Sequence, residues 1–283
     1  MKDKVFKILL FLSALIMLLL MAGMLYSLII ESLPAFRHFG FVNFLTTAEW
    51  DPREGQEKYG ALSLLTGTFL TAGLALLISI PFSISLAIFN GVYFRGTKIA
   101  FWSSNIVDIC SGIPSIILGI WGYYTLRPIM IELNIGTHGF GILTASIVLS
   151  IMIIPYVASL CTGYISMVPQ NLREAGYSLG ATHIEVIRKI SFPLIRKGVY
   201  AAYILALGRA LGETMVITML IGNITKIPTS ITDTGNTLSS IIFNQIGAAG
   251  DLKLSSLFAV ALLLFLITAI INYISRGLIR KFA

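Results

Sequence analysis

The segment ALGRALGETM, Ala206 to Met215, sets an arginine and a glutamate inside one of the most apolar stretches of the chain. Arg209 brings a planar fork of N–H donors that stays charged at physiological pH and matches two oxygens of an oxyanion, whereas lysine would be a point charge that titrates when buried. Glu213, four residues on, shares one face with it if the helix is continuous. Two readings of the pair are open. In the first, the charges neutralise each other inside the membrane, with Asp108 a candidate third member, an arrangement that adds little to stability. In the second, Arg209 binds an anion. Glu213 then competes for the guanidinium so that release stays possible, and it accepts a hydrogen bond from an oxyanion that keeps a proton near neutrality, as phosphate does and sulfate does not.

A second stretch, SGIPSIILGIWG from Ser111 to Gly122, carries its own chemistry. Pro114 removes a backbone hydrogen bond, while Gly112, Gly119 and Gly122 permit close helix approach or a local break. A broken helix would turn backbone N–H groups toward an anion at membrane depth. The alternative is a proline kink relieved by Ser111. Pro81 and Pro155 read as kinks. Cys110 and Cys161 lie in apolar segments and read as packing residues. His38, His138 and His183 have no ligand spacing, so neither a metal nor another cofactor is expected. No G-x-x-x-x-G-K-[ST] loop occurs, so the chain itself is not expected to hydrolyse ATP or to be an enzyme.

The elements that must position these residues are membrane helices. Of 283 residues, 56% are hydrophobic and 12% charged, against roughly a quarter charged in soluble domains. The first apolar run is too long for a signal core and reads as a retained span. Six segments reach the ~20 residues a crossing needs: Ile8 to Ile30, Ala61 to Phe89, Ile99 to Leu126, Phe140 to Gly163, Val199 to Ile221 and Leu254 to Ile274. Arg209, eleventh in the fifth, falls near the bilayer midplane. Outside the spans, thirteen Lys and Arg lie at the termini and in the even-numbered loops and six in the odd ones, which places both termini in the cytoplasm. The net charge of +7 thus follows from topology and requires no nucleic acid.

The fourth loop, Tyr164 to Gly198, is too long and charged to be membrane. Pro169 suits the start of one short helix with Leu172, Ala175 and Leu179 on a face, and Gly180 breaks the pattern. Thr182 and Glu185 fit a capping box, so a second helix begins near His183 with Ile184, Ile187 and Ile190 on its apolar side, and Pro193 is expected to end it. Periodicity alone leaves open whether this is a docking knob or an amphipathic stretch on lipid headgroups.

The residues themselves decide. EAGYSLGATHIEVIRKISFP, Glu174 to Pro193, resembles the coupling signature of ABC importer permeases: Glu174, Ala175, Gly180, Ile190 and Pro193 stand at the family's spacing, while Gly176 and Phe192 depart from it. LALGRALGETMVITMLIGN together with SGIPSIILGIWG resembles the PstC family, the membrane subunits of bacterial phosphate importers, from the second span onward. The resemblance implies an all-α, polytopic type I ABC importer permease fold of six transmembrane helices. Residues 1–60 would form the first helix and an external loop, and residues 61–283 a permease core with coupling loop 164–198. It implies a substrate path touched by Arg209, Glu213, Thr214, Ser111 and Ser115, and ATPase contacts made by Glu174, Ala175, Gly180, Ile190 and Pro193. The partners implied are a second permease (PstA-like), two ATPase subunits (PstB-like) and an external phosphate-binding protein (PstS-like), assembled at the cytoplasmic membrane with phosphate as cargo. Another oxyanion, sulfate or molybdate, is the alternative cargo. An ion-coupled secondary carrier is the alternative class, and the coupling signature argues against it.

Overall fold

Proline at position 34 and a serine far along the chain decide how the first helix meets the last. In the computed structural model, which describes residues 2–53 and 57–280, α1 (Lys2–Phe39) runs well past the expected Ile30 with Pro34 inside it. Where the α1 ladder is disturbed, the Ser255 hydroxyl inserts: it accepts from the Ala35 N–H (2.9 Å) and donates to the Glu31 carbonyl (2.7 Å). Ser255 belongs to α13 (Asp251–Arg280), so the end of α1 is fixed to the start of α13. From Phe6 to Ile30, α1 turns its large apolar side chains outward, as a helix facing lipid does.

After α1 come the short α2 (Phe41–Thr46) and a two-stranded antiparallel ribbon, β1 (Trp50–Asp51) and β2 (Lys58–Tyr59). These close a small core with Ala35, Phe44, Trp50, Tyr59, Leu238 and Leu257. Glu54 of the expected external loop and Lys281 of the C-terminal basic cluster lie outside the described residues.

The main core sits between α3 (Leu62–Ile88) and α7 (Ile142–Ser166), joined by α10 (Phe192–Leu211) and α11 (Met215–Leu220). Thr68, Ala72, Ala75, Ser79, Ser83 and Ala87 of α3 recur every three or four residues and are buried, so the backbone of α3 comes close to α7. The Ser146 hydroxyl reaches across to the Thr71 carbonyl (3.1 Å). Leu149, Met152, Ile153, Ile217 and Leu220 are fully buried between the helices.

Among the described residues, five helices are long and apolar enough to cross a membrane, and one bent pair of helices gives six when it is counted as one span. Three expectations about element ends are corrected. The third span is not one straight helix over Ile99 to Leu126: α4 (Lys98–Ser111) stops, α5 (Ser115–Trp121) restarts, and a π turn (Gly122–Leu126) leads into α6 (Arg127–Glu132), with a 90° bend between the halves. Pro114 has no N–H to carry the ladder across. The fifth span does not run from Val199 to Ile221 either, because α10 ends at Leu211 and α11 begins at Met215. Pro193 does not end a helix. α9 (His183–Glu185) passes without a break through a π turn (Val186–Ser191) into α10, and the widened turn just before Pro193 is where the helix accommodates a residue with no N–H for its ladder. A short α8 (Gln170–Ser178) precedes α9, and α12 (Leu238–Gln245) precedes α13.

Candidate functional site

Both breaks face the same helix, α7. The Arg209 guanidinium, in the last turn of α10, lies over the Tyr156 ring at 5.1 Å from its centroid. Three residues further along α7, the Ser159 hydroxyl donates to Asp108 Oδ1 (3.1 Å), and Asp108 is in the last turn of α4. Residues three apart share a helix face, so one turn of α7 carries both ends. Tyr156 is about 21 Å from the start of α7 and about 15 Å from its end at ~1.5 Å per residue, which puts Arg209 at mid-depth of the bundle.

The sequence places Arg209 and Glu213 on one helical face; the structure separates them. Gly212 caps α10, and residues 213 and 214 are not helical. Glu213 instead folds back over α11: its Oε1 accepts from the N–H groups of Met215 (3.1 Å) and Val216 (3.4 Å), which have no carbonyl partner at a helix start. The Thr214 hydroxyl donates to the Gly212 carbonyl (3.3 Å), and the Ser239 hydroxyl to that of Glu213 (2.7 Å). Among the described residues no carboxylate lies within ion-pair distance of Arg209, which is exposed on the surface of this chain. The mutual neutralisation of Arg209 and Glu213, with or without Asp108, is therefore absent.

Ser111 and Ser115 flank the other break. The Ser111 hydroxyl donates to the Asp108 carbonyl of its own helix (2.7 Å), and Ser115 opens α5. The half-helices that follow the two breaks, α5 and α11, pack on each other, with Gly119 beside Met219. Irregular backbone at membrane depth is tolerated where protein covers it or where it lines a cavity; on this chain Gly112, Pro114 and Gly212 are exposed, so both breaks keep an open side. Tyr156, Ser159 and Ser239 were not signalled by any motif, because only the fold brings them beside the breaks.

At the far end of α7 lies the segment read as a coupling loop. Its corner is a Schellman turn: the Gly180 N–H bonds the Tyr177 carbonyl (2.9 Å) and the Ala181 N–H the Gly176 carbonyl (3.1 Å), with Gly180 at φ +82°, a region open to glycine. Thr182 and Glu185 form both halves of the expected capping box. The apolar residues of the two short helices face outward, Leu179 at 89% and Ile184 at 67% exposure. Glu174 and Ala175 are also exposed, with Gln170 donating to the Glu174 carboxylate (2.8 Å), and Pro193 is exposed while Ile190 is half-buried. What α8 buries is Arg173 and Gly176. Burial draws the Arg173 guanidinium below its ordinary pKa, and nearby Arg95 pulls in the same direction.

Residues 79–283 match the family described as binding-protein-dependent transport system inner membrane component. Among curated relatives, the phosphate transport system permease protein PstC of Haemophilus influenzae is 39% identical, over 95% of this chain and 90% of its own length. The protein of the same name from Mesorhizobium japonicum is 38% identical over 95% and 87%. Among solved structures, the chain resembles one in the inward-facing MetNI methionine ABC transporter, with a TM-score of 0.58 at 23% identity, covering 78% of this chain and 96% of that one.

Proposed function

The chain belongs to the family of binding-protein-dependent transport system inner membrane components, and from that premise we propose that it carries inorganic phosphate past Arg209. It is a permease subunit of an ABC importer, working in a complex with other subunits of that transporter. The finer assignments rest on geometry. An arginine at mid-depth costs about 2.5–3.5 kcal/mol on insertion scales, and among the described residues no anionic side chain lies within ion-pair distance to offset it. A guanidinium whose recorded contact is an aromatic face is ready for a bidentate oxyanion. This is the observation that carries the reading.

Glu213, by capping α11, holds the break open beside Arg209 rather than holding the arginine. Its Oε2 has no partner among the described residues and can accept a hydrogen bond from a protonated oxyanion, which favours phosphate over sulfate. Thr214 at one break and Ser111 and Ser115 at the other would complete the path. On the opposite end, the outward apolar residues around Gly180 suit a groove on a separate ATPase subunit, with Glu174, Ala175, Ile190 and Pro193 shaping the knob. A second, PstA-like permease would close the open side of the breaks, two PstB-like ATPase subunits would drive the cycle, and an external PstS-like protein would deliver phosphate. Both termini and the knob would face the cytoplasm. The test is reconstitution: this chain with those partners in vesicles should take up phosphate on ATP addition, with little competition from sulfate or molybdate. Uptake of sulfate at equal efficiency would overturn the cargo.

A further inference from the structure

A buried cation sits under the coupling segment, and docking does not explain it. Arg173 immediately precedes Glu174 on α8 yet points the opposite way, at 6% exposure. Its Nη1 donates to the Gly91 carbonyl (3.2 Å) and its Nη2 to the Ile165 carbonyl. Gly91 lies in the π turn (Phe89–Tyr93) that ends α3, and Ile165 is the last residue but one of α7. Final-turn carbonyls carry the negative end of the helix dipole and lack the full helical set of partners; the Ile165 carbonyl accepts from the Val168 N–H (3.3 Å) in the turn that follows and still takes the guanidinium, which thus lies across the ends of both helices at once. The two ends are also in direct contact, since a Cβ on Gly91 would stand 2.6 Å from Ile165 Cγ2. A single ammonium has no fork with which to reach both carbonyls in this way.

The same arginine stands at the start of a continuous route. α7, which it grips at Ile165, carries Tyr156 under Arg209 and Ser159 on Asp108. α8 is also joined to α7 through residues 167–169, with Val168 buried, and its Gly176 packs on Ile190 and Val186 of the stretch leading into α10.

We propose that Arg173 is the positioning residue that fastens α8 to the ends of α3 and α7, so that a push on the coupling segment moves those two membrane helices with it as one rigid body. The proposal rests on the segment docking an ATPase. Without Arg173, α8 would keep its three-residue link to α7 and its packing on the stretch leading into α10, and the end of α3 would lag behind.

The test uses the assembled transporter in vesicles, with Arg173→Met and Arg173→Lys and with spin labels at Asn171 on α8 and Leu77 on α3. In the unsubstituted complex the ATPase subunits co-purify and the label separation is the same in ATP-bound and nucleotide-free states. In Arg173→Met, phosphate moved per ATP hydrolysed falls about tenfold, within the usual range of coupling between sites, and the label separation broadens and becomes nucleotide-dependent. Arg173→Lys lies between; if Arg173→Met does not assemble, Arg173→Lys decides by the same two measurements. Unchanged phosphate per ATP together with an unchanged label separation, whatever happens to thermal stability, overturns the proposal. So does a nucleotide-dependent separation in the unsubstituted complex. Absence of ATPase from that complex overturns the docking reading and the proposal together.

Discussion

Removing Arg209 and Glu213 separately and together distinguishes an anion site from a buried ion pair. Breaking a buried pair by removing one partner costs about 3–5 kcal/mol, and removing both relieves most of it. Here Glu213 bonds the Met215 and Val216 N–H groups and Arg209 lies over Tyr156, so the two side chains share no ion pair. The stability effects of Arg209→Gln and Glu213→Gln should therefore add to within about 0.5 kcal/mol. The glutamine amide oxygen can keep both bonds to α11, losing only their charge assistance, a cost of about 1 kcal/mol. Transport behaves otherwise. A bidentate contact to phosphate is two charged hydrogen bonds of about 1.5–3 kcal/mol each, and at ~1.4 kcal/mol per decade their loss lowers uptake at limiting phosphate by about two to four orders of magnitude. Arg209→Lys keeps the charge but loses the fork and should recover only part of that. The assays are thermal unfolding of the purified complex and radiolabelled phosphate uptake at matched expression. Near-normal uptake in the double variant, or instability in each single variant that the double variant repairs, would refute the reasoning.

Gly180→Val forces a β-branched residue to φ +82° at a cost of about 1–3 kcal/mol; the chain should still insert, while phosphate-stimulated ATP hydrolysis in the complex drops, and normal stimulation would count against the docking corner. A cysteine at Arg53 on the ribbon side should react with an impermeant maleimide added outside, and one at Arg188 in the coupling segment should not; the reverse pattern inverts the orientation. Asp233 accepts from the Thr229 hydroxyl and the Ser230 and Thr229 N–H groups, which hold its pKa below the ordinary 3.8. A depressed carboxylate stabilises above its ordinary value and loses that contribution as pH falls through the lowered one, so amide exchange in residues 229–233 should rise only below about pH 4 and be pH-independent from 5 to 7 apart from intrinsic chemistry.

Hydropathy made the number of crossings legible, and short-range motifs made the coupling corner legible, because the capping box and the Gly180 turn are decided by residues within a few positions of each other. The helix ends were less legible. Pro193 reads as a stop in sequence, yet a helix can pass a proline by widening the turn before it, and nothing local announces the π turn that precedes it here. The spacing of Arg209 and Glu213 suggested a pair only on the premise of an unbroken helix. Gly212 between them was the available sign of a break, and hydropathy does not register it because both sides remain apolar. Tyr156, Ser159 and Ser239 carry no sequence signal at all; their roles follow from which helix α7 and α12 are packed against.

The departure at position 176 shows what the coupling signature encodes. The resemblance expects alanine there, and this chain has glycine, whose added Cβ would stand 2.6 Å from Ile190 Cδ1 and 3.1 Å from Val186 Cγ2. Ile190 is itself a signature residue, so two positions fourteen apart in sequence are in contact across the corner that Gly180 turns. The fixed spacing is therefore a packing condition: it sets the length of the stretch that must leave α8, reverse at Gly180, restart at the Thr182 cap and return against residue 176 before Pro193 opens the span. Since the atom in the way is the far end of a flexible side chain, an alanine fits if Ile190 shifts slightly, and the two side chains can trade volume across the corner. Leu172, Leu179 and Ile184 take no part in that closure and point away from it. The signature thus fixes the internal shape of the knob, and the outward residues are left to match whichever ATPase surface receives it.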